Sequence, residues 1–185
     1  MVNSIAYPIT AQLRGQLIQT IANRLGQRVQ PVLQRHGLDN VQADGWYPQQ
    51  DYLKAIEDLA QDHEDIVFDL IAIGIDMALE SEFPPEINTL EKALFSLDEL
   101  YHRNNRNAGG GWQVKKNRPH NLTCVSSTPM PPDLEYGLLY GLTERFGRKG
   151  YIYHVVHDSK APRRLEGGLT CTYHVFWGRC GKNRT

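Results

Sequence analysis

The chain has 185 residues, 20 basic and 21 acidic, with a formal net charge of −1 and 41% hydrophobic side chains. That length suits one domain with a sizeable core. The near-neutral balance supplies no broad field to steer the protein toward nucleic acid or an anionic membrane.

Taken in order, Thr10 is placed to cap a helix carrying Leu13, Leu17, Ile18, Ile21 and Leu25 at helical spacing, closed by Gly26. A short helix over Val29 to Arg35 ends at His36-Gly37. The polar stretch 39–49, with Gly45-Trp46-Tyr47-Pro48, reads as a connector. It divides the chain into a helical arm (1–45), a ligand-binding-type α+β domain (46–180) and a tail (181–185). Helices follow over Tyr52 to Ala60 and Ile66 to Glu80, the second stopped by Phe83-Pro84-Pro85. Asn88 is placed to cap a long helix with Leu90, Ala93, Leu94, Leu97 and Leu100 on one face, ending in YHRNNR and a triple glycine.

Beyond Gly111 the period changes from helix to strand. Trp112 to Lys116 and His120 to Ser126 form a hairpin around Asn117-Arg118-Pro119. Asp133 is placed to cap a helix ending at Gly147, and Tyr151 to His157 and Leu169 to Trp177 are the clearest strands. The fold class is α+β: N-terminal helices packed on a four-stranded antiparallel sheet, with one helix between the two hairpin-like strand pairs.

Three cysteines, Cys124, Cys171 and Cys180, have no CxxC spacing and make no disulfide framework, which points to a reducing, cytoplasmic setting. The beginning of the chain has no apolar core of signal-peptide length. The most apolar stretch, Ile66 to Leu79, is interrupted by Asp69 and Asp76 and is too short to span a bilayer. In a strand, Cys171, Tyr173 and Val175 face one way while Thr172, His174 and Phe176 face the other, so Cys171 and His174 do not share a ligand sphere. His154 and His157 are likewise on opposite faces. Cys171 and Cys124 either line a metal or ligand pocket or are buried small hydrophobes. His102, Arg103 and Arg106 beside the glycine run either offset a helix dipole or hold a ligand's carboxylate or phosphate, with Arg163 and Arg164 supplying charge from the other side. Tyr101, Trp112, Tyr136, His157 and Tyr173 complete the candidate ligand-binding set. No GxSxG, P-loop, GxGxxG or HExxH pattern occurs, and catalytic machinery is not recognisable.

From about Phe83 onward the chain resembles the 4-vinyl reductase domain family. The resemblance rests on FPPEINTLEKAL, LYHRNNR, Thr128-Pro129 after Cys124, Glu135-Tyr136-Gly137 with Gly141, and HDSKAPRRLEGGLTCTYHVFW. That family looks like part of a wider fold group with the heme-based nitric-oxide sensors and Bet3-type trafficking subunits. The resemblance implies a small-molecule-binding sensory domain with a hydrophobic or tetrapyrrole-like ligand, often a homodimer, signalling through a partner protein. Relatives carry a cysteine in the loop after His157-Asp158, where this chain reads Lys160-Ala161-Pro162-Arg163. A cysteine metal site here is therefore reduced to Cys124 and Cys171. The Tyr-x-Ser-x-Arg motif of the heme sensors is absent, so neither metal nor tetrapyrrole has a complete motif. Two alternatives stand beside the sensor: an enzyme or accessory factor using Cys171 or His157 on an aromatic or tetrapyrrole substrate, and a dimerisation scaffold.

Overall fold

The computed structural model describes residues 8–62 and 66–180; the expected tail lies outside them. The chain opens not with a helix but with a strand, β1 (Gln12–Arg14), which pairs with β2 (Trp46–Pro48) on one side and β3 (Asn105–Arg106) on the other. Leu13 matches the helical spacing, but its backbone is claimed by Tyr47 and Asn105, and its side chain is fully buried. Helix α1 (Gly15–Leu25) begins after the strand, with Arg14 rather than Thr10 at its N-cap. Because β1 bonds to both neighbours, residues on the two sides of stretch 39–49 share one sheet, and Ile18, Ile21 and Leu33 belong to the same core cluster as the rest of the molecule.

Helix α2 (Gln30–Arg35) stops where expected: Gly37 takes φ +68°, a left-handed conformation that glycine adopts without steric cost. Helices α3 (Gln49–Asp62) and α4 (Ile66–Glu80) follow. The two aspartates that interrupt the apolar run of α4 are answered by α1 and the 3₁₀ turn Gly26–Arg28 that follows it. Arg24 pairs with Asp76 at 2.8 Å, and Arg28 with Asp69 at 3.1 Å. The long helix expected from residue 88 is two helices, α5 (Leu90–Phe95) and α6 (Leu97–Asn104). The break falls at Ser96, whose hydroxyl donates to the Ala93 carbonyl at 2.9 Å, a bond that competes with the helical ladder. The N-cap is Thr89, which accepts the Lys92 N–H; Asn88 instead accepts from the Lys92 ammonium.

Strands β4 (Trp112–Arg118) and β5 (Asn121–Ser126), then β6 (Tyr151–His157) and β7 (Cys171–Arg179), form an antiparallel sheet in the order β4-β5-β7-β6. Between the hairpins runs α7 (Pro132–Phe146), with Pro131 at its N-cap and Asp133 already inside the first turn. Strand β7 starts at Cys171, two residues later than its sequence suggests, and Leu169 is 90% exposed in the preceding loop. Alternate residues of β7 are buried, so Cys171, Tyr173 and Val175 face the helices.

Helices α4 and α7 cross closely because glycines line the contact. A Cβ on Gly74 would lie 2.2 Å from the Leu134 carbonyl oxygen, and one on Gly137 would lie 2.1 Å from that of Ile71. This pair roofs the sheet. The roof and the inner sheet face enclose the seam in which most of the singled-out aromatic residues lie. Among the described residues, no helix is long and apolar enough to cross a membrane.

Candidate functional site

Two ends of the seam differ in construction. At one end Glu135, in the first turn of α7, is only 1% exposed. Its carboxylate accepts hydrogen bonds from Ser126 and Thr128 (2.6 Å) on one oxygen, and from the Tyr173 hydroxyl (2.8 Å) on the other. Arg164, on the loop before β7, reaches in to pair with it at 2.8 Å and also donates to the carbonyls of Ser126 and Met130. A buried charge without partners would be very costly, and here each lone-pair region of Glu135 meets a donor. Burial pushes the Tyr173 phenol well above its ordinary value, and the adjacent Glu135 carboxylate adds to the effect, so Tyr173 stays a donor.

Around this cluster sit several of the expected residues. The His157 ring lies 4.6 Å from that of Tyr173 and stacks at 5.8 Å on Tyr136. Its Nδ1 is buried without a hydrogen-bond partner. Burial, with help from the Arg163 charge, lowers its pKa to about 4, so the ring is neutral at pH 7. Cys124 and Cys171 are fully buried on the same inner face, opposite Tyr173 and Ser126 respectively. Burial drives the Cys124 thiol up to about 12 and raises that of Cys171 as well. Among the described residues no group of three His, Cys, Asp or Glu side chains is placed to hold a metal ion.

Beside Glu135 an interior cavity of about 60 Å³ lies between α1, α4, α6 and α7 and the start of β4. Its walls are mostly apolar (Leu17, Met77, Leu100, Trp112, Met130 and Leu138), with polar groups from Tyr101, Thr128 and Glu135 and from Ser81, Asn104 and Asn105. The Tyr101 hydroxyl donates to the Gly109 carbonyl at 3.0 Å. The glycine run is a packing device: Gly110 has φ +76°, and a Cβ at Gly111 would lie 2.3 Å from the Asp98 carboxylate, which accepts the Trp112 N–H.

The basic residues at the end of α6 do not converge. His102 is bonded through Nδ1 to the Asp98 carbonyl, and Arg103 donates to the Glu82 carbonyl and faces a separate pocket of about 270 Å³. Arg106 bonds Gln12 and lies over Trp46. Each is spent locally, so no joint carboxylate or phosphate grip forms among them. Arg163 does not enter the cluster through a hydrogen bond; its backbone N–H donates to Glu166, and it is the neighbouring Arg164 that goes in. Arg164 was expected beside Arg163 as a source of charge, whereas Glu135, Ser126 and Thr128 were not singled out as site residues from the sequence. The available signal was an acidic residue one position from Leu134 on the buried side of a helix.

At the other end of the seam is an open cleft of about 610 Å³, between α5, the end of α7 and the hairpin end of the sheet. Its floor is Trp177, Tyr153, Tyr151 and His120.

No protein-family model matches the chain, and no curated protein matches it. The 4-vinyl reductase resemblance thus has no support beyond its motifs. Solved structures match well in fold. An H-NOX protein from S. oneidensis in the Fe(II)NO ligation state superposes with a TM-score of 0.68 at 13% identity, over 90% of this chain and 100% of that one. A point mutant of the Fe(II) unliganded H-NOX protein from K. algicida gives 0.69 at 14% identity, over 90% and 97%. A mutant of the T. tengcongensis H-NOX gives 0.67 at 15%, over 89% and 95%. The fold is therefore that of the heme-nitric-oxide-sensor group within the wider set expected from sequence.

A further H-NOX structure of the same fold (TM-score 0.64, 13% identity, over 92% of this chain and 96% of that one) probes the function of heme distortion, and the residues of this chain do not match a heme. The pocket beside Glu135 offers about 60 Å³, against the roughly 300–1,000 Å³ of a pocket for a drug-sized ligand or cofactor. No histidine or cysteine lines it, and the His102 ring is turned to the surface, held to its own helix. The cavity as it stands does not fit a tetrapyrrole.

Proposed function

We propose that the chain is a small-molecule-binding sensory domain whose ligand enters the seam between the helical roof and the four-stranded sheet beside Glu135. The observation that carries this reading is the cavity beside Glu135: mostly apolar walls, polar groups that include Tyr101, Thr128 and Glu135, and a position between the helical layer and the start of β4. At about 60 Å³ it has the volume of about two waters in the liquid, so it accepts a compact apolar molecule directly. Anything larger must part α6 from β4, breaking the Asp98 to Trp112 bond. That displacement is what a partner protein would read. The enzyme alternative loses support because both inner thiols are buried and raised away from thiolate, which is the nucleophilic form.

Xenon-pressurised NMR of methyl-labelled methionine tests this. Met77 and Met130 both line the cavity, and their signals are expected to shift saturably with xenon pressure. Unmoved methionine signals would remove the interior site. The scaffold alternative has one observation in its favour. Phe68 is 72% exposed, with Val67 and Leu79 also exposed on α4 and Tyr140 on α7. If that face joins two copies, Phe68→Glu lowers the mass in solution; an unchanged mass excludes it.

A further inference from the structure

The cleft at the hairpin end has a different composition from the interior cavity, and nothing in the sensor reading uses it. Its floor is a continuous run of rings. Trp177 stacks on His120 at 5.3 Å and 27°, and on Tyr153 at 6.0 Å and 29°. Tyr151 meets His120 edge-on at 5.8 Å. These rings belong to the inner face of the sheet, where β6 and β7 run beyond the cover of α7: Tyr153 is paired with Trp177 in register. The turn between β4 and β5 brings His120 onto them. His120 holds φ +60°, a left-handed conformation uncommon for a residue with a Cβ, and its carbonyl accepts the Trp177 N–H. The backbone is thus bent to lay an exposed imidazole on the indole.

The charges around the cleft are arranged asymmetrically. Its acidic lining residues are committed elsewhere: Glu91 pairs with Lys116 at 2.7 Å, and Glu99 with Arg103 at 3.6 Å. Its cations are not neutralised. Lys92 Nζ donates only to neutral oxygens, those of the Glu86 carbonyl and the Asn88 side chain. Arg148 lines the cleft, its backbone N–H donating to the Tyr153 hydroxyl, and its guanidinium forms no ion pair or hydrogen bond among the described residues. Arg179 stands at the margin, bonded to the Tyr151 hydroxyl at 3.2 Å. An aromatic floor with positive charge above it favours a flat, apolar ring that carries a negative group, since the ring gains stacking and the anion meets a guanidinium. The volume of about 610 Å³ falls within the range of small-molecule sites.

We infer that this cleft is a second binding site, separate from the interior cavity, for a planar aromatic carboxylate that stacks on the His120–Trp177 platform and pairs with Arg148. The test is a titration of the ¹⁵N-labelled full chain with 2-naphthoate, read at the tryptophan indole N–H signals. Trp177 lines the cleft and Trp112 the interior cavity, so the two sites report separately. The Trp177 signal is expected to move saturably while that of Trp112 stays still. Binding should weaken by about tenfold or more in Arg148→Gln and for neutral 2-naphthamide, the size expected on losing one hydrogen bond to a charged group. Arg148 is exposed, so that variant keeps its fold. Three results would overturn the proposal: no movement of Trp177 at millimolar ligand, movement of Trp112 alone, or equal affinity in Arg148→Gln. The second of these would place the ligand in the interior site and leave the sensor reading standing.

Discussion

The two ends of the seam solve opposite problems with similar residue types. At the Glu135 end, charged and hydroxyl groups are buried and matched one to another, and the remaining space is small. At the Trp177 end, aromatic rings are left half-covered and cations are left without acids. A closed, satisfied cluster holds the layers in register; an open, unsatisfied one is disposed to take a partner. The difference comes from coverage. Helix α7 covers Tyr173 with its own Glu135 but ends at Phe146, before the last residues of β7.

Breaking the closed end should have the largest effect. Glu135→Ala leaves Arg164 and three hydroxyls without their acceptor, and removing one member of a buried pair typically costs about 3–5 kcal/mol. Urea denaturation would show it, and a loss under 1 kcal/mol would mean that the cluster does not lock the layers. The tryptophans compare the ends directly. Trp112→Ala empties a buried site and should cost about 3–5 kcal/mol, whereas the half-buried Trp177→Ala should cost no more than about half as much; equal losses would erase the distinction drawn here.

The pH dependence of stability sharpens the same contrast. His157 is held neutral in the fold, with its pKa lowered from 6.5 to about 4, while the unfolded chain still takes up a proton near 6.5. Its contribution is therefore complete above pH 6.5 and is lost as pH falls toward 4. Since the ring is only partly buried, the change should be modest, about 1 kcal/mol. His157→Phe should flatten the urea midpoint between pH 7 and pH 5, and a slope that survives in this variant would assign the effect to another group. The smallest effect belongs to Arg148→Gln, expected within about 0.5 kcal/mol of the native chain because the side chain is exposed and unpaired.

Much of the architecture was legible in the sequence because it rests on local period. Helices α3 and α4 and strands β4 to β7 show their 3.6- and 2-residue patterns clearly, and Gly26, Gly37 and Gly147 mark real helix ends. The three-stranded sheet was not legible. Strands of two and three residues are too short to carry a period, and Leu13 fits either a helix or a strand until its partners are known. Caps went astray: Thr89 took the place of Asn88, where adjacent capping-type residues compete on side-chain geometry, while Arg14 and Pro131 stand at N-caps expected at Thr10 and Asp133 and make no side-chain cap bond. Of the expected site residues, Tyr101, Trp112, Tyr173 and His157 came together because large aromatics on an inner face tend to meet. The basic residues of α6 scattered, since each had a nearer acceptor than a shared ligand.

By itself the sequence determined the order of the main helices and of strands β4 to β7, and the inward face of β7, all consequences of backbone geometry over a few residues. Only the tertiary structure decided that Glu135 would meet Arg164, Ser126, Thr128 and Tyr173, and that the cations of the open cleft would be left without acids. Those outcomes depend on which groups win each buried partner across long sequence separations. A carboxylate has no preference for a donor from chain order; it takes the donors that folding brings within reach.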